Sequence, residues 1–395
     1  MKAVIIRKLG LAIFSTVGAL FLAEGLARLV LPAPPQVIVA TDRETLDLAA
    51  EQPATRARLK TSPDEGFIYI GTPTGIRLRP NAHVVIENHA VSGRQIEIRT
   101  NRQGYRNPEL GTKTGPRLLF LGDSITFADY LDEDETFVRR VEQRARADRH
   151  DWETVNAGVG GISLQNELAI LVETGLATRP DAVIVCFYLN DFMASPGVYL
   201  QPVPVPLSMS RLASFLWVTL PRLQADRSTP TTPCRADRTA RLDIKHLRQE
   251  FEALQASSSA IQSTEERRFY DAVTRHFSDW GGAWSPGVWP NMVTCFREFR
   301  QLADRHGFDL FIVAFPVRDQ VHAKVMHNTP QARLAKLAAD LDIPFLDLLP
   351  HLRAAHAEAD GPLFYDACHH TPEGSRIVAS VIYDFLLPHL ETRAE

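Results

Sequence analysis

The chain has 395 residues, 45% of them apolar and 23% charged, a balance that excludes wholesale disorder and supplies a sizeable core. Forty-three basic residues against 47 acidic ones leave a formal charge of −4, without the polybasic footprint that nucleic-acid binding requires. The cysteines at positions 186, 234, 295 and 368 are too scattered for a disulfide scaffold and form no CxxC zinc pair; Cys234 and Cys295 could pair only in an oxidising compartment.

Residues 1–32 begin with Lys2, Arg7 and Lys8, followed by an uncharged run from Leu9 to Ala23 whose apolar character continues past Glu24 and Arg28 to Leu31. A helix over 9–31 would measure about 34 Å, enough to cross roughly 30 Å of hydrocarbon if Glu24 and Arg28, four apart on one face, pair near the boundary. No small-x-small cleavage site follows, so the expectation is an uncleaved single-pass anchor with its basic start in the cytoplasm and the rest of the chain outside, in a periplasm. Secretion after signal cleavage is the alternative. Residues 33–115 open with a proline-rich tether and read as a linker with a small β element at 83–87 and 95–99, where apolar and polar residues alternate.

From 116 to 395 short apolar runs alternate with helical patterns, the signature of a parallel sheet covered by helices on both faces. Strands are expected at 117–121, 153–156, 182–189, 309–315 and 343–346, and helices at 134–148, 163–176, 291–306, 330–341 and 372–390. An insertion at 196–289, carrying helical patterns at 238–256 and 264–277, separates the third strand from the fourth.

Four segments carry chemistry. The first strand ends in Gly122-Asp123-Ser124 and runs into a helix, which places a serine where parallel sheets present ligands; a helix cap would leave the same trace. Asn156-Ala157-Gly158-Val159-Gly160-Gly161 follows the second strand, and Tyr188-Leu189-Asn190-Asp191 the third, where an amide could donate into the same crevice. Asp366-Ala367-Cys368-His369 precedes the last helix. There an Asp three residues before a His can take the Nδ1 proton and leave Nε2 to act as a base, with His370 as the alternative.

In that order, Ser, Gly, Asn and Asp-x-x-His, the chain resembles the SGNH (GDSL-type) hydrolase superfamily over residues 116–195 and 290–392. The resemblance implies a flavodoxin-like three-layer α/β/α fold with a five-stranded parallel sheet. It implies Ser124 as nucleophile, Gly161 and Asn190 with the Ser124 N–H as oxyanion donors, and Asp366 and His369 as the dyad, with no metal or organic cofactor. Where the family usually has glycine two residues before its asparagine this chain has Tyr188, expected to reshape or narrow the pocket. Asn101-Arg102-Gln103-Gly104-Tyr105-Arg106 resembles a segment of membrane-anchored bacterial members.

The expected activity is hydrolysis of a carboxylic ester, such as an acyl group on an envelope glycan or lipid. An acyltransferase using the same residues, or a non-catalytic anchored binding protein, are the alternatives. Trp280, Trp284 and Trp289 read either as an aromatic platform for a sugar or acyl chain, or as packing of the insertion on the sheet. Arg318 and Asp319 lie near the same edge and read as solvated surface.

Overall fold

The computed structural model describes residues 2–30, 36–39, 68–72, 75–87, 89, 91–192, 210, 212–213, 216, 244–257 and 263–391. Helix α1 (Lys2–Val30) opens the chain, and its Arg28 Nε lies 2.7 Å from Glu24 Oε1, the pairing expected from their spacing. Among the described residues no helix is long and apolar enough to cross a membrane, and the described side chains of α1 begin at Ser15. Two small antiparallel sheets follow: β1 (Gln36–Val39), β4 (His83–Glu87) and β5 (Ile96–Arg99) in one, β2 (Tyr69–Thr72) and β3 (Gly75–Leu78) in the other. The alternation at 83–87 and 95–99 is thus a β4–β5 pair.

The central sheet comprises β6 (Arg117–Gly122), β7 (Glu153–Asn156), β8 (Ala182–Tyr188), β9 (Asp309–Phe315) and β10 (Phe345–Asp347). All neighbours are parallel, in the order β10-β9-β8-β6-β7. This is the doubly wound order whose crevice opens at the carboxyl ends of the strands where the winding reverses, here between β6 and β8. Every residue of β6 and β8 is buried, as their unbroken apolar runs require of strands covered on both sides.

The covering helices are α2 (Ser124–Phe127), α3 (Phe137–Ala147), α4 (Leu164–Ile170), α5 (Ile244–Ser257), α6 (Thr264–Arg275), α7 (Trp289–His306), α8 (Arg318–His322), α9 (Thr329–Asp340), α10 (Leu348–Glu358) and α11 (Pro372–Glu391). Packing of α3 on α11 and of α4 on α7 places the chain's last helix beside its first large crossover. The pattern expected at 163–176 is interrupted after Ile170 by a π turn, Leu171–Gly175, and a 3-10 turn, Leu176–Thr178. Helix α10 was not expected: Asp347 caps it through Leu349 N–H, and Pro350 in its first turn obscured the helical run.

The insertion is described mainly at α5, α6 and the turns that lead into α7. Trp280, Trp284 and Trp289 are 1%, 3% and 7% exposed, so the rings pack the insertion and offer no open platform. Cys295 is buried on α7, while Cys234 lies outside the described residues.

Candidate active site

β6 ends at Gly122, and Asp123 starts α2 by accepting the Ile125 N–H on Oδ1 at 2.9 Å. The capping role belongs to the aspartate, which leaves the serine hydroxyl for the crevice. Ser124 Oγ lies 3.1 Å from His369 Nε2, and His369 Nδ1 lies 2.7 Å from Asp366 Oδ2. The other oxygen, Asp366 Oδ1, accepts the N–H groups of Cys368 and His369, both at 2.9 Å, so one carboxylate orients the ring and fixes its loop. His370 points away. It is buried between Phe315 and Phe364, and burial drives its ring down to about 3, so it stays neutral and does not reach Ser124.

Gly161 sits in the turn between β7 and α4 at φ 69°, and its N–H makes no internal hydrogen bond among the described residues. Ser124 opens a helix, where the N–H has no intrahelical acceptor. Asn190 follows β8. Because β6 lies between β7 and β8, these three positions share one sheet edge. Asn190 Nδ2 donates to Asp279 Oδ1 at 3.4 Å.

Burial opposes charge on His369, but Cys368 and Asp366 outweigh it and hold the ring well above its ordinary value. Since burial also pushes the Cys368 thiol up, that thiol is neutral near pH 7 and Asp366 supplies the charge. Asp366 is itself desolvated, yet the bonds from His369 and from the loop N–H groups hold it below the usual carboxylate range.

No family model matches this sequence, and no curated protein matches it. Solved structures do, at low identity. An acetyl xylan esterase, AlAXEase, is 14% identical over 68% of this chain and 98% of its own, with a TM-score of 0.35. The lipase/acylhydrolase from Enterococcus faecalis is 14% identical over 70% and 97%, with a TM-score of 0.36. A catalytic mutant of Axe2, an acetylxylan esterase from Geobacillus stearothermophilus, is 13% identical over 70% and 96%, also at 0.36. The five-stranded parallel sheet, in the order β10-β9-β8-β6-β7, is the flavodoxin-like arrangement expected from the sequence.

Within this core, Tyr188 lies at the end of β8. It is 2% exposed, with its hydroxyl beside the Cys368 thiol, so it packs against the Asp-x-x-His loop. The Asn101–Arg106 segment proves to be a clamp. Asn101 Oδ1 accepts the N–H groups of Gln103 and Tyr105 at 3.0 Å, and Gly104 turns at φ 82° where a Cβ would meet Leu78 O at 2.7 Å. Arg106, 1% exposed, then donates to the carbonyls of Phe127, Ala128 and Leu131, the turn that leaves α2.

Three other residues near the site were not expected. Tyr130 stands on that clamped turn against His369. Asp279 comes from the insertion and meets Asn190. Glu167 on α4 is fully buried with neither carboxylate oxygen hydrogen-bonded among the described residues; a lone acid on the apolar face of a helical pattern was its only signal. Burial raises Glu167 and Asp191 well above their ordinary values and Asp123 to about 6; Asp123 adds to the rise in Glu167, and Glu167 with Asp123 adds to that in Asp191. Asp366, Cys368 and His369 place one possible metal-ligand atom each within 4.8 Å of one another, but two of the three are already joined as the dyad. Arg318 and Asp319 are each 40% exposed, as solvated surface.

Proposed function

We infer that this chain is a serine esterase of the SGNH type acting on a carboxylic ester. The observation that carries the reading is the continuous relay Ser124 Oγ, His369 Nε2, His369 Nδ1, Asp366 Oδ2, with separations of 3.1 and 2.7 Å. Such a serine is within reach of a general base whose tautomer is fixed by the carboxylate. His369 takes the Ser124 proton as Oγ attacks the ester carbonyl; the N–H groups of Ser124 and Gly161 and the Asn190 amide receive the oxyanion. His369 then returns the proton to the leaving alkoxide, and water, activated by the same ring, releases the acid from the acyl-enzyme. A separation of 3.1 Å favours this reading over a non-catalytic binding protein.

The near-neutral charge suits an uncharged ester, such as an acyl group on an envelope glycan or lipid. The reading extends to α1 as a membrane anchor that leaves the esterase domain outside the cytoplasm: Leu20, Phe21, Leu22, Leu26, Leu29 and Val30 all stand exposed on it. Retention in membranes washed with alkaline carbonate checks the anchor. The activity is tested with short and long p-nitrophenyl esters and the full chain. Turnover of at least one, abolished in Ser124→Ala, supports the reading, and equal turnover in the variant overturns it. Product that forms only when a sugar acceptor is added would move the assignment to acyl transfer.

A further inference from the structure

The insertion returns to the sheet where β8 ends. The turn after α6 is seated by Phe277 and Trp280, 0% and 1% exposed, and the N–H groups of Asp279 and Gly281 both donate to His276 O at 2.9 Å. Phe192, two residues beyond Asn190, closes on Gly282, where a Cβ would meet Phe192 Cζ at 2.3 Å. Asp279 is thereby held opposite Asn190 and accepts its Nδ2 hydrogen on Oδ1 at 3.4 Å. The amide's other end, Asn190 Oδ1, is buried and has no hydrogen-bond partner among the described residues.

An asparagine side chain can stabilise an oxyanion in only one of its two amide orientations; turned over, it presents lone pairs to the developing charge. The Oδ1 side of Asn190 does not choose between them, and the Asp279 side does, because a carboxylate accepts from N–H and repels a carbonyl. We propose that Asp279 is a positioning residue for the oxyanion site: it holds one Asn190 N–H and so turns the second toward the substrate oxygen. The use of that second N–H rests on the esterase reading. The hydrogen bond and the amide orientation do not.

Asp279→Ala is expected to lower kcat on p-nitrophenyl acetate about tenfold with KM unchanged, less than the 10²–10³ typical of losing a donor outright. Asp279→Asn, whose amide oxygen still accepts, is expected to recover most of the loss. In an Asn190→Ala background, Asp279→Ala should cost nothing further. Full activity of Asp279→Ala, or the same loss in both backgrounds, overturns the proposal, the second result meaning that Asp279 only supports the turn. The full chain labelled with 15N-asparagine gives a readout that needs no turnover: the Asn190 amide pair, identified by its absence in Asn190→Ala, should shift in Asp279→Ala. If the wild type hydrolyses no ester but this pair shifts, the esterase reading fails and the positioning stands; an unmoved pair overturns the positioning whatever the activity.

Discussion

Tyr130 packs on the ring of His369, with centroids 4.7 Å apart and planes inclined by 60°. The ring is therefore held from two directions, by Asp366 through Nδ1 and by Tyr130 on its face. Tyr130 in turn stands on the segment whose carbonyls Arg106 gathers, so a guanidinium buried below the sheet edge reaches the histidine through one aromatic ring.

Arg106→Ala leaves the Phe127, Ala128 and Leu131 carbonyls buried without that donor. At about 1–3 kcal/mol for each unsatisfied buried group, a loss of at least about 3 kcal/mol is expected. Urea unfolding followed by tryptophan fluorescence measures it, and a midpoint equal to wild type would refute the clamp.

The pH profile follows from His369. Protonated, the ring cannot accept the Ser124 proton; its value is raised above 6.5, so kcat/KM should climb with pH through a limb lying above 6.5. Asp366→Asn removes the charge that raises it and the acceptor that fixes the tautomer. The limb should move to lower pH while the rate falls by on the order of 10⁴. A limb that stays in place in the variant would assign it to another group.

Asn190→Ala should retain weak activity, down about 10²–10³-fold, because two backbone donors remain. Ser124→Ala should lose the covalent step entirely, leaving no fluorophosphonate label on the chain. Stopped-flow hydrolysis and gel labelling separate the two outcomes.

Glu167 keeps its proton in the folded chain at pH values where the unfolded chain has released it. Its contribution to stability is fully present below the ordinary value of 4.5 and is lost as pH rises toward the raised one. Glu167→Gln should flatten that dependence and raise the urea midpoint more at pH 8 than at pH 5. A variant with the wild-type slope would show that Glu167 is not the titrating group.

The sheet was legible because β6, β8 and β9 are unbroken apolar runs, and the dyad because Asp366 and His369 are three residues apart. Ser124, Gly161 and Asn190 could be named because each lies in the segment after a strand, in the order of the family that the sequence resembles. Tyr130 and Asp279 had no such marker. Their nearness to the site is made by tertiary packing, of the turn after α2 under the last loop and of the insertion across β8, and neither has a local pattern. Tyr188 was legible as a departure but not in its consequence, since the direction of a side chain at a strand end depends on the loop that covers it. The three tryptophans could be counted but not assigned: aromatic rings close in sequence look alike whether they face solvent or one another.

Asp123 adjoins Ser124, Asp191 adjoins Asn190, and Glu167 lies on the helix that follows Gly161. Seen from the crevice, the site is three separate groups on three separate segments. Seen from behind, the segments share buried acids: Asp123 raises Glu167, and both raise Asp191. A substitution at Asp123 or Glu167 therefore bears on the acid beside Asn190 as well as on its own segment, and transplanting the loop after β8 into another scaffold would carry Asn190 across without the buried acids among which Asp191 titrates.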